Sequence, residues 1–207
     1  MSRPTAWALD LPVGGAPVAS GPRALVVADP ESNLPAARGE GARVAGSLRA
    51  AGWAVDAFVG AAAGGASVRR ALTEVSLFHY AGHGRAERDD PWAAYLALAD
   101  GSRLSVRDLL ALERGPRWVV LTGCRTGLVD PRAAAGGMGI AQAFLLMGAE
   151  GVLAATETVD DGLAGALGAA VASRLGAAGV DLPAAVHGAW AALGERPGWE
   201  DFRVWVR

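Results

Sequence analysis

The sequence predicts an α/β domain in which a mostly parallel central sheet is flanked by helices, and two observations support this. Apolar runs of strand length alternate with segments of helix length, as in strand–helix–strand units with right-handed crossovers. Two runs end at a reactive side chain beside a glycine: Leu77-Phe-His-Tyr-Ala-Gly-His83-Gly84 and Trp118-Val-Val-Leu-Thr-Gly-Cys124-Arg-Thr-Gly127. Because the carboxyl ends of parallel strands share one edge of the sheet, we expect His83 and Cys124 to lie close together there.

The first half of the chain predicts an edge strand and two strand–helix–strand units. Residues 1–22 are expected to supply the edge strand, around Trp7, and a flexible connection rich in glycine and proline, while residues 23–207 form the domain itself. The other segments of this half predict, in chain order, strands over 23–29 and 53–59, helices over 35–51 and 67–74, and the histidine strand over 77–83. Gly52 is expected to end the first helix, and Ser67 to cap the second.

The second half predicts a hairpin, the cysteine strand and a helical C-terminal part. Asp100-Gly101 between apolar runs is typical of a hairpin turn, so a small β-excursion is expected at the sheet edge. Ser105 and Asp108 have the spacing of a capping box for a helix that ends near Glu113. The remaining segments predict a loop over 125–139, helices over 139–148, 163–175 and 182–193, and strands over 151–156 and 202–206.

Composition and charge exclude several classes of protein. Although 52% of the residues are hydrophobic, no apolar run reaches the ~18 residues of a membrane span. A net charge of −2 gives no general attraction to nucleic acid or anionic lipid. All 19 basic residues are arginine, which excludes a P-loop lysine and Schiff-base chemistry. The single cysteine and the absence of an apolar leader segment lead us to expect a cytoplasmic protein.

His83 and Cys124 are the candidate catalytic pair. A free cysteine is often only a small buried hydrophobe, but this one follows Gly123 at a strand end, where the chain can turn sharply and direct backbone N–H groups. An imidazole with a pKa near ~6.5 can take the proton of a thiol whose pKa is near ~8.5. We therefore predict that His83 is the general base and Cys124 the nucleophile. The backbone N–H groups of Gly84 and Cys124 are the candidate oxyanion hole, and no third orienting residue stands out.

Other titratable residues have two interpretations each. His79 lies four residues before His83 and on the same face of a strand, so the two could bind a metal, or His79 could be a core histidine bonded to the backbone. We favour the core histidine and predict neither a metal nor a cofactor. Glu157, Asp160 and Asp161 either line a pocket for a basic substrate residue or cap the helix that follows, and both interpretations stay open.

Several motifs, in their order and spacing, resemble those of the CHAT-domain peptidases, a caspase-like group also similar to separase. The motifs are Ala28-Asp29-Pro30, Leu34-Pro35-Ala-Ala-Arg-Gly-Glu40, His79-Tyr-Ala-Gly-His83-Gly84, Leu98-Ala-Asp-Gly-Ser-Arg-Leu104, Val120-Leu-Thr-Gly-Cys124-Arg-Thr-Gly127, Ala141-Gln-Ala-Phe-Leu-Leu-Met-Gly148-Ala149, Val159-Asp160-Asp161 and Trp199-Glu-Asp-Phe-Arg-Val204. The resemblance implies a caspase-like three-layer sandwich, a dyad at His83 and Cys124 with oxyanion donors at Gly84 and Cys124, and a protein substrate. It also implies that an acid near Asp160 sets a preference for basic residues.

Together, these features predict a cytoplasmic cysteine endopeptidase. The group that it resembles acts in bacterial defence and regulated cell death. Because no helical repeats precede the domain, we expect a partner protein or another signal to activate it by ordering the loop over 125–139, in which Arg125 and Arg132 are candidate self-cleavage points. Its relatives commonly have Trp-Pro where this chain has Glu157-Thr158, so the pocket is expected to differ.

The alternative from another class is a catalytically silent binding module that keeps the same fold. Two further alternatives are disfavoured by missing motifs. A nucleotide-binding α/β domain would need Gly-x-Gly-x-x-Gly after the first strand, and a serine hydrolase would need Gly-x-Ser-x-Gly.

Overall fold

The computed structural model of this protein describes residues 6–8, 16–17, 22–85, 94–124, 126–127, 138–177 and 179–207. The strands are β1 (Ala6–Ala8), β2 (Ala16–Pro17), β3 (Arg23–Ala28), β4 (Ala54–Val59), β5 (Leu77–Ala81), β6 (Gly84–Arg85), β7 (Tyr95–Ala97), β8 (Arg103–Ser105), β9 (Arg114–Gly115), β10 (Trp118–Leu121), β11 (Gly151–Ala155) and β12 (Phe202–Val206). The helices are α1 (Pro35–Ala50), α2 (Gly65–Leu72), α3 (Val106–Leu110), α4 (Ile140–Leu146), α5 (Asp161–Leu175) and α6 (Leu182–Leu193). Much of the predicted N-terminal connection and of the loop over 125–139, including Arg125 and Arg132, lies outside the described residues.

The central sheet is mostly parallel, as predicted. Within the described residues it has seven strands in the order β1-β12-β11-β10-β5-β3-β4. The run from β4 through β3, β5 and β10 to β11 is parallel throughout, whereas β12 is antiparallel to β11 and parallel to β1 at the edge. The carboxyl ends of the five parallel strands therefore share one edge of the sheet.

Helices cover both faces of this sheet, which confirms the three-layer arrangement. Along β3, Leu25 and Val27 belong to the core under α2, α3 and α4, while Ala24 and Val26 belong to the core under α1, α5 and α6. This alternation follows from the two-residue period of a strand, and burial on both faces explains why the inner parallel strands β3, β5, β10 and β11 are almost wholly apolar.

The predicted bounds of helices α2 and α3 are wrong, and contacts with other segments explain the start of α2 and the end of α3. Helix α2 begins after Gly64 rather than at Ser67, because the backbone N–H of Gly65 donates to Ser102 Oγ of the neighbouring hairpin at 3.1 Å. The helix also ends at Leu72 rather than at Glu74. Helix α3 stops at Leu110 rather than near Glu113, because Arg114 and Gly115 pair with β2.

The predicted hairpin and capping box are both confirmed. Strands β7 and β8 are antiparallel, and Asp100 and Gly101 turn the chain between them with φ angles of 56° and 69°. Ser105 Oγ accepts from the N–H of Asp108, whose carboxylate accepts from the N–H of Ser105 at 2.8 Å. Partial burial would by itself raise the pKa of Asp108, but the hydrogen bonds from Ser105 and the charge of Arg69 hold it below its ordinary value.

None of the helices in the described part of the chain combines the length and apolar character needed to cross a bilayer.

Candidate active site

The turns that carry His83 and Cys124 follow two neighbouring parallel strands. Strands β5 and β10 pair in a register that places Tyr80 beside Leu121, and the N–H of Thr122 continues the pairing by donating to Tyr80 O at 3.0 Å. His83 lies two residues beyond β5 and Cys124 three residues beyond β10. The structure therefore brings both residues to one edge of the sheet.

Glycines let these two turns pack backbone against backbone. A Cβ atom on Gly123 would collide with Gly82 O, and a Cβ on Gly84 would lie 2.7 Å from Cys124 O. Any larger residue at these positions would force the turns apart, because real Cβ contacts are not that short. The residues flanking His83 and Cys124 are thus in direct contact.

Asn33 is the partner of His83 that sequence reasoning missed. His83 is half-buried, and its Nε2 lies 3.2 Å from Asn33 Oδ1. Because the amide oxygen is an acceptor, Nε2 carries the proton in this pair and Nδ1 is left as the basic nitrogen. The backbone of His83 is also held, since its carbonyl accepts from the N–H of Ala97 at 3.0 Å and from Tyr80 Oη at 2.9 Å.

A buried carboxylate shapes the loop that carries Asn33. Asp29 follows β3 in a left-handed conformation, with φ 47°, and its Oδ1 accepts from the N–H groups of Asn33 and Leu34 at 2.8 Å. Its Oδ2 pairs with Arg38 at 2.8 Å. The sequence pattern indicated only a turn at Asp29-Pro30, because loop closure by a distant arginine leaves no local signal.

The turn at Cys124 is fixed to the end of β11. Thr126 is buried, and its hydroxyl donates to Gly123 O at 3.0 Å and accepts from the N–H of Ala155 at 3.3 Å. Cys124 itself is half-buried, and its Sγ lies 3.9 Å from Val159 O. The thiol therefore faces the segment that follows β11.

Gly84 is placed so that its N–H group is not used by the hairpin ladder. The N–H of Ala97 donates to His83 O, which makes His83 and Ala97 a hydrogen-bonded pair. Because such pairs alternate with non-hydrogen-bonded ones in an antiparallel ladder, Gly84 and Leu96 form a non-hydrogen-bonded pair. The Gly84 N–H consequently points away from β7.

The three predicted specificity acids lie on the Cys124 side of the site. Glu157, Asp160 and Asp161 are exposed residues of the segment whose Val159 carbonyl faces the thiol. Asp160 is also the N-cap of α5, since its Oδ1 accepts from the N–H of Leu163 at 2.9 Å. The capping interpretation is therefore confirmed for Asp160, whose second carboxylate oxygen remains for other contacts.

His79 belongs to the core, but its partner is not the backbone. The residue is 1% exposed, and its Nε2 lies 2.9 Å from Oε1 of Glu40, a residue that is 3% exposed. The same Oε1 accepts from Thr122 Oγ1 at 2.6 Å. This bond directs His79 into the layer under α1, away from a metal pair with His83. Within the described residues, no group of three His, Cys, Asp or Glu side chains could hold a metal ion.

Comparisons with known proteins identify the family and the fold. The family model of the CHAT domain matches residues 8–206. The Arg-specific cysteine proteinase gingipain R has a similar structure, with a TM-score of 0.66 at 14% identity over 89% of this chain and 46% of that chain. The complex of Porphyromonas gingivalis RgpB pro- and mature domains gives a TM-score of 0.64 at 13% identity over 94% and 47%.

Separase from the Saccharomyces cerevisiae separase–securin complex gives a TM-score of 0.63 at 13% identity over 95% of this chain and 12% of that chain. The chain thus spans under half of the gingipain chains and about an eighth of separase. No curated protein sequence matches it. At these identities the solved structures establish a shared fold.

Replacing Glu40 by alanine is expected to lower the free energy of unfolding by about 2–4 kcal/mol, because it leaves the His79 N–H unpaired in the core and removes the shorter of the two hydrogen bonds that the Thr122 hydroxyl donates. Urea denaturation measures this loss. Glu150→Gln is the matched control, because Glu150 pairs with Arg117 at an exposed position and should change stability by less than about 0.5 kcal/mol. Equal stability of the two variants would contradict the structural role of Glu40.

Tyr80 makes stability fall at alkaline pH. Burial, with a contribution from the charge of Glu31, raises the pKa of Tyr80 well above its ordinary value of 10.0. The unfolded chain therefore loses this proton first, and the stabilisation present below pH ~10 is lost as the pH rises further, by up to about 1.4 kcal/mol per pH unit. Urea unfolding between pH 8 and 11 should show a steeper decline for the wild type than for Tyr80→Phe, and parallel declines would contradict it.

Proposed function

The chain belongs to the CHAT-domain family, and on that premise we propose that it is a cysteine endopeptidase that cleaves a protein substrate through His83 and Cys124. The fold it shares with cysteine peptidases supports hydrolysis at this sheet edge. The observation that carries the proposal is the direct backbone contact between Gly82 and Gly123, which puts the imidazole and the thiol on adjoining turns. A thiolate–imidazole pair needs this proximity.

The proposed reaction begins with transfer of the Cys124 Sγ proton to Nδ1 of His83. The thiolate then attacks the carbonyl carbon of the scissile bond, and the N–H groups of Gly84 and Cys124 stabilise the negative charge that develops on the oxygen. One such donor typically contributes about 10²–10³ in rate. When the C–N bond breaks, His83 gives its proton to the leaving amine, and water later hydrolyses the acyl-enzyme.

Asn33 is the proposed orienting residue of the dyad. Its Oδ1 accepts a hydrogen bond from Nε2–H of His83, with 3.2 Å between the two heavy atoms. This contact would fix both the tautomer and the direction of the imidazole ring. Asp29 supports this role indirectly, because its hydrogen bond to the Asn33 N–H holds the loop in place.

For specificity, we propose a basic residue immediately before the scissile bond, bound by carboxylates among Glu157, Asp160 and Asp161. Two observations support this: these acids follow the strand beside Cys124, and a protein of similar fold is described as Arg-specific. Glu157-Thr158 replaces the Trp-Pro of relatives, so the walls of this pocket would be more polar.

For regulation, we propose that the protease works in the cytoplasm in bacterial defence or regulated cell death, and that a partner protein or another signal raises the basal activity of the chain. Cleavage at Arg125 or Arg132 would be compatible with the basic specificity. These proposals rest on the family resemblance and on the net charge of −2, which gives no attraction to nucleic acid or membranes.

The proposal is tested with the purified chain and fluorogenic peptides that carry Arg, Lys, Ala or Asp before the bond. We expect cleavage after Arg and Lys only, and at least a 10³-fold loss of kcat in Cys124→Ala, because no other thiol is present. His187→Gln, at an exposed position of α6, is the matched control and should retain full activity. Undiminished cleavage by Cys124→Ala would refute the dyad.

The role of Asn33 is tested by pH profiles of kcat/KM, whose acid limb reports the pKa of the essential imidazole. Asn33→Ala is expected to lower kcat about 2- to 10-fold with little change in KM, in line with one hydrogen bond. Asn33→Asp should restore activity and move the acid limb upward, because a carboxylate stabilises the imidazolium. Identical profiles for all three proteins would exclude the contact.

Alkylation of Cys124 by iodoacetamide distinguishes the protease from a silent binding module. A thiol activated by His83 should react with an apparent pKa well below ~8.5, whereas an isolated thiol keeps the ordinary value or exceeds it. In the His83→Ala variant, the alkylation rate should depend on pH as it does for an isolated thiol. An ordinary profile in the wild type would favour the binding module.

A further inference from the structure

A second pocket lies at the same edge of the sheet, on the side of His83 away from Cys124. It has a volume of about 320 Å³ and is formed by three segments: residues 30–32 after β3, Ala61 after β4, and the hairpin turn over 98–101. In the sheet order, β3 and β4 lie on one side of β5, and β10 and β11 on the other. The pocket and the acids after β11 therefore flank the dyad from opposite sides.

Residues next to the walls of this pocket hold the turn that carries His83. Pro30 Cδ lies 3.0 Å from the position that a Cβ on Gly82 would occupy, and Asn33, next to the wall residue Ser32, bonds the imidazole. On the hairpin side, the N–H of Ala97 donates to His83 O just before the wall residue Leu98. The pocket therefore adjoins the turn that carries His83.

The chemistry of the lining selects a long side chain with a cationic end. The charged residues of the lining are the exposed Glu31 and Asp100, and the apolar residues Leu98 and Ala99 are almost completely buried beneath them. An arginine or lysine side chain is long enough to reach into the pocket, where its cation would meet these two carboxylates. Arg85 lies 3.5 Å from Glu31, which is longer than a charge-assisted hydrogen bond, so an incoming cation can replace it.

We propose that this pocket binds a basic side chain of the substrate at the first or second residue after the scissile bond. The assignment rests on the proposed protease function: His83 protonates the leaving amine, so the amine and the residues that follow it lie on the His83 side. Basic residues would then be selected on both sides of the bond by separate acids, and a cut between or beside paired basic residues is the expected substrate.

The test uses internally quenched peptides that have Arg before the bond and Arg, Ala or Glu at each of the two positions after it. For each enzyme, the ratio of kcat/KM for the Arg and Ala peptides reports the pocket independently of overall activity. In the wild type, we expect the Arg-to-Ala ratio to be about 10 or more at one of the two positions, and the Glu-to-Ala ratio there to be below 1. In the double variant Glu31→Gln/Asp100→Asn, both ratios should be within twofold of unity. Asparagine suits the left-handed backbone at position 100.

Glu150→Gln is the matched control, because it removes one carboxylate at the opposite edge of the sheet, before β11. It should keep the wild-type ratio, which separates a local contact from a general charge effect. A wild-type ratio near 1 at both positions, or an unchanged ratio in the double variant, would overturn the pocket assignment.

A binding experiment separates failure of the pocket from failure of the proposed function. The Cys124→Ala protein is titrated with the same peptides, each labelled for fluorescence anisotropy, with and without the Glu31→Gln/Asp100→Asn changes. The pocket is supported if the Arg peptide binds more tightly than the Ala peptide and the double variant abolishes this difference. That result would stand even if the wild type shows no turnover and the protease proposal fails. Equal binding of the Arg and Ala peptides overturns it.

Discussion

The arrangement of this site depends on one buried carboxyl group. Glu40 of α1 accepts hydrogen bonds from His79 of β5 and from Thr122 at the end of β10 through a single oxygen atom. Those two strands carry His83 and Cys124, so one side chain of the helical layer fixes the strands to each other just before they reach the edge. Gly168 of α5 closes the cluster, because a Cβ there would lie 2.5 Å from the same oxygen. A buried network of this kind specifies one arrangement, since every alternative leaves a polar group unpaired.

Beyond the last paired residues of β5 and β10, close backbone packing at glycines fixes the two turns in place of strand hydrogen bonds. Gly82, Gly84 and Gly123 have no side chain to separate the two turns, so backbone atoms meet directly. The positions of the turns are then set by neighbours on both sides: Asn33 and Tyr80 hold the histidine, and Thr126 holds the cysteine turn against β11. Catalytic geometry of this type requires a supporting shell, because small displacements cost large factors in rate.

Charge is distributed around the dyad rather than at it. Acidic groups lie after β11 on one side and beside the ends of β3 and β4 on the other, while the nearest partner of the imidazole is the neutral amide of Asn33. The neutral amide orients the ring without placing a charge beside it, whereas the carboxylates belong to segments on either side.

The sequence alone determined the parallel α/β class, the approximate bounds of most elements and the two strand ends that meet, because hydrophobic period, glycine breaks and capping pairs are local signals. It placed β12 at Phe202–Val206 and α6 at Leu182–Leu193 as the structure has them. Only the tertiary structure decided which distant groups contact each other: Asn33 with His83, Glu40 with His79 and Thr122, and Ser102 with the start of α2. Those contacts join residues 37 to 82 positions apart, and a polar side chain looks the same in sequence whether its partner is water, the backbone or another element.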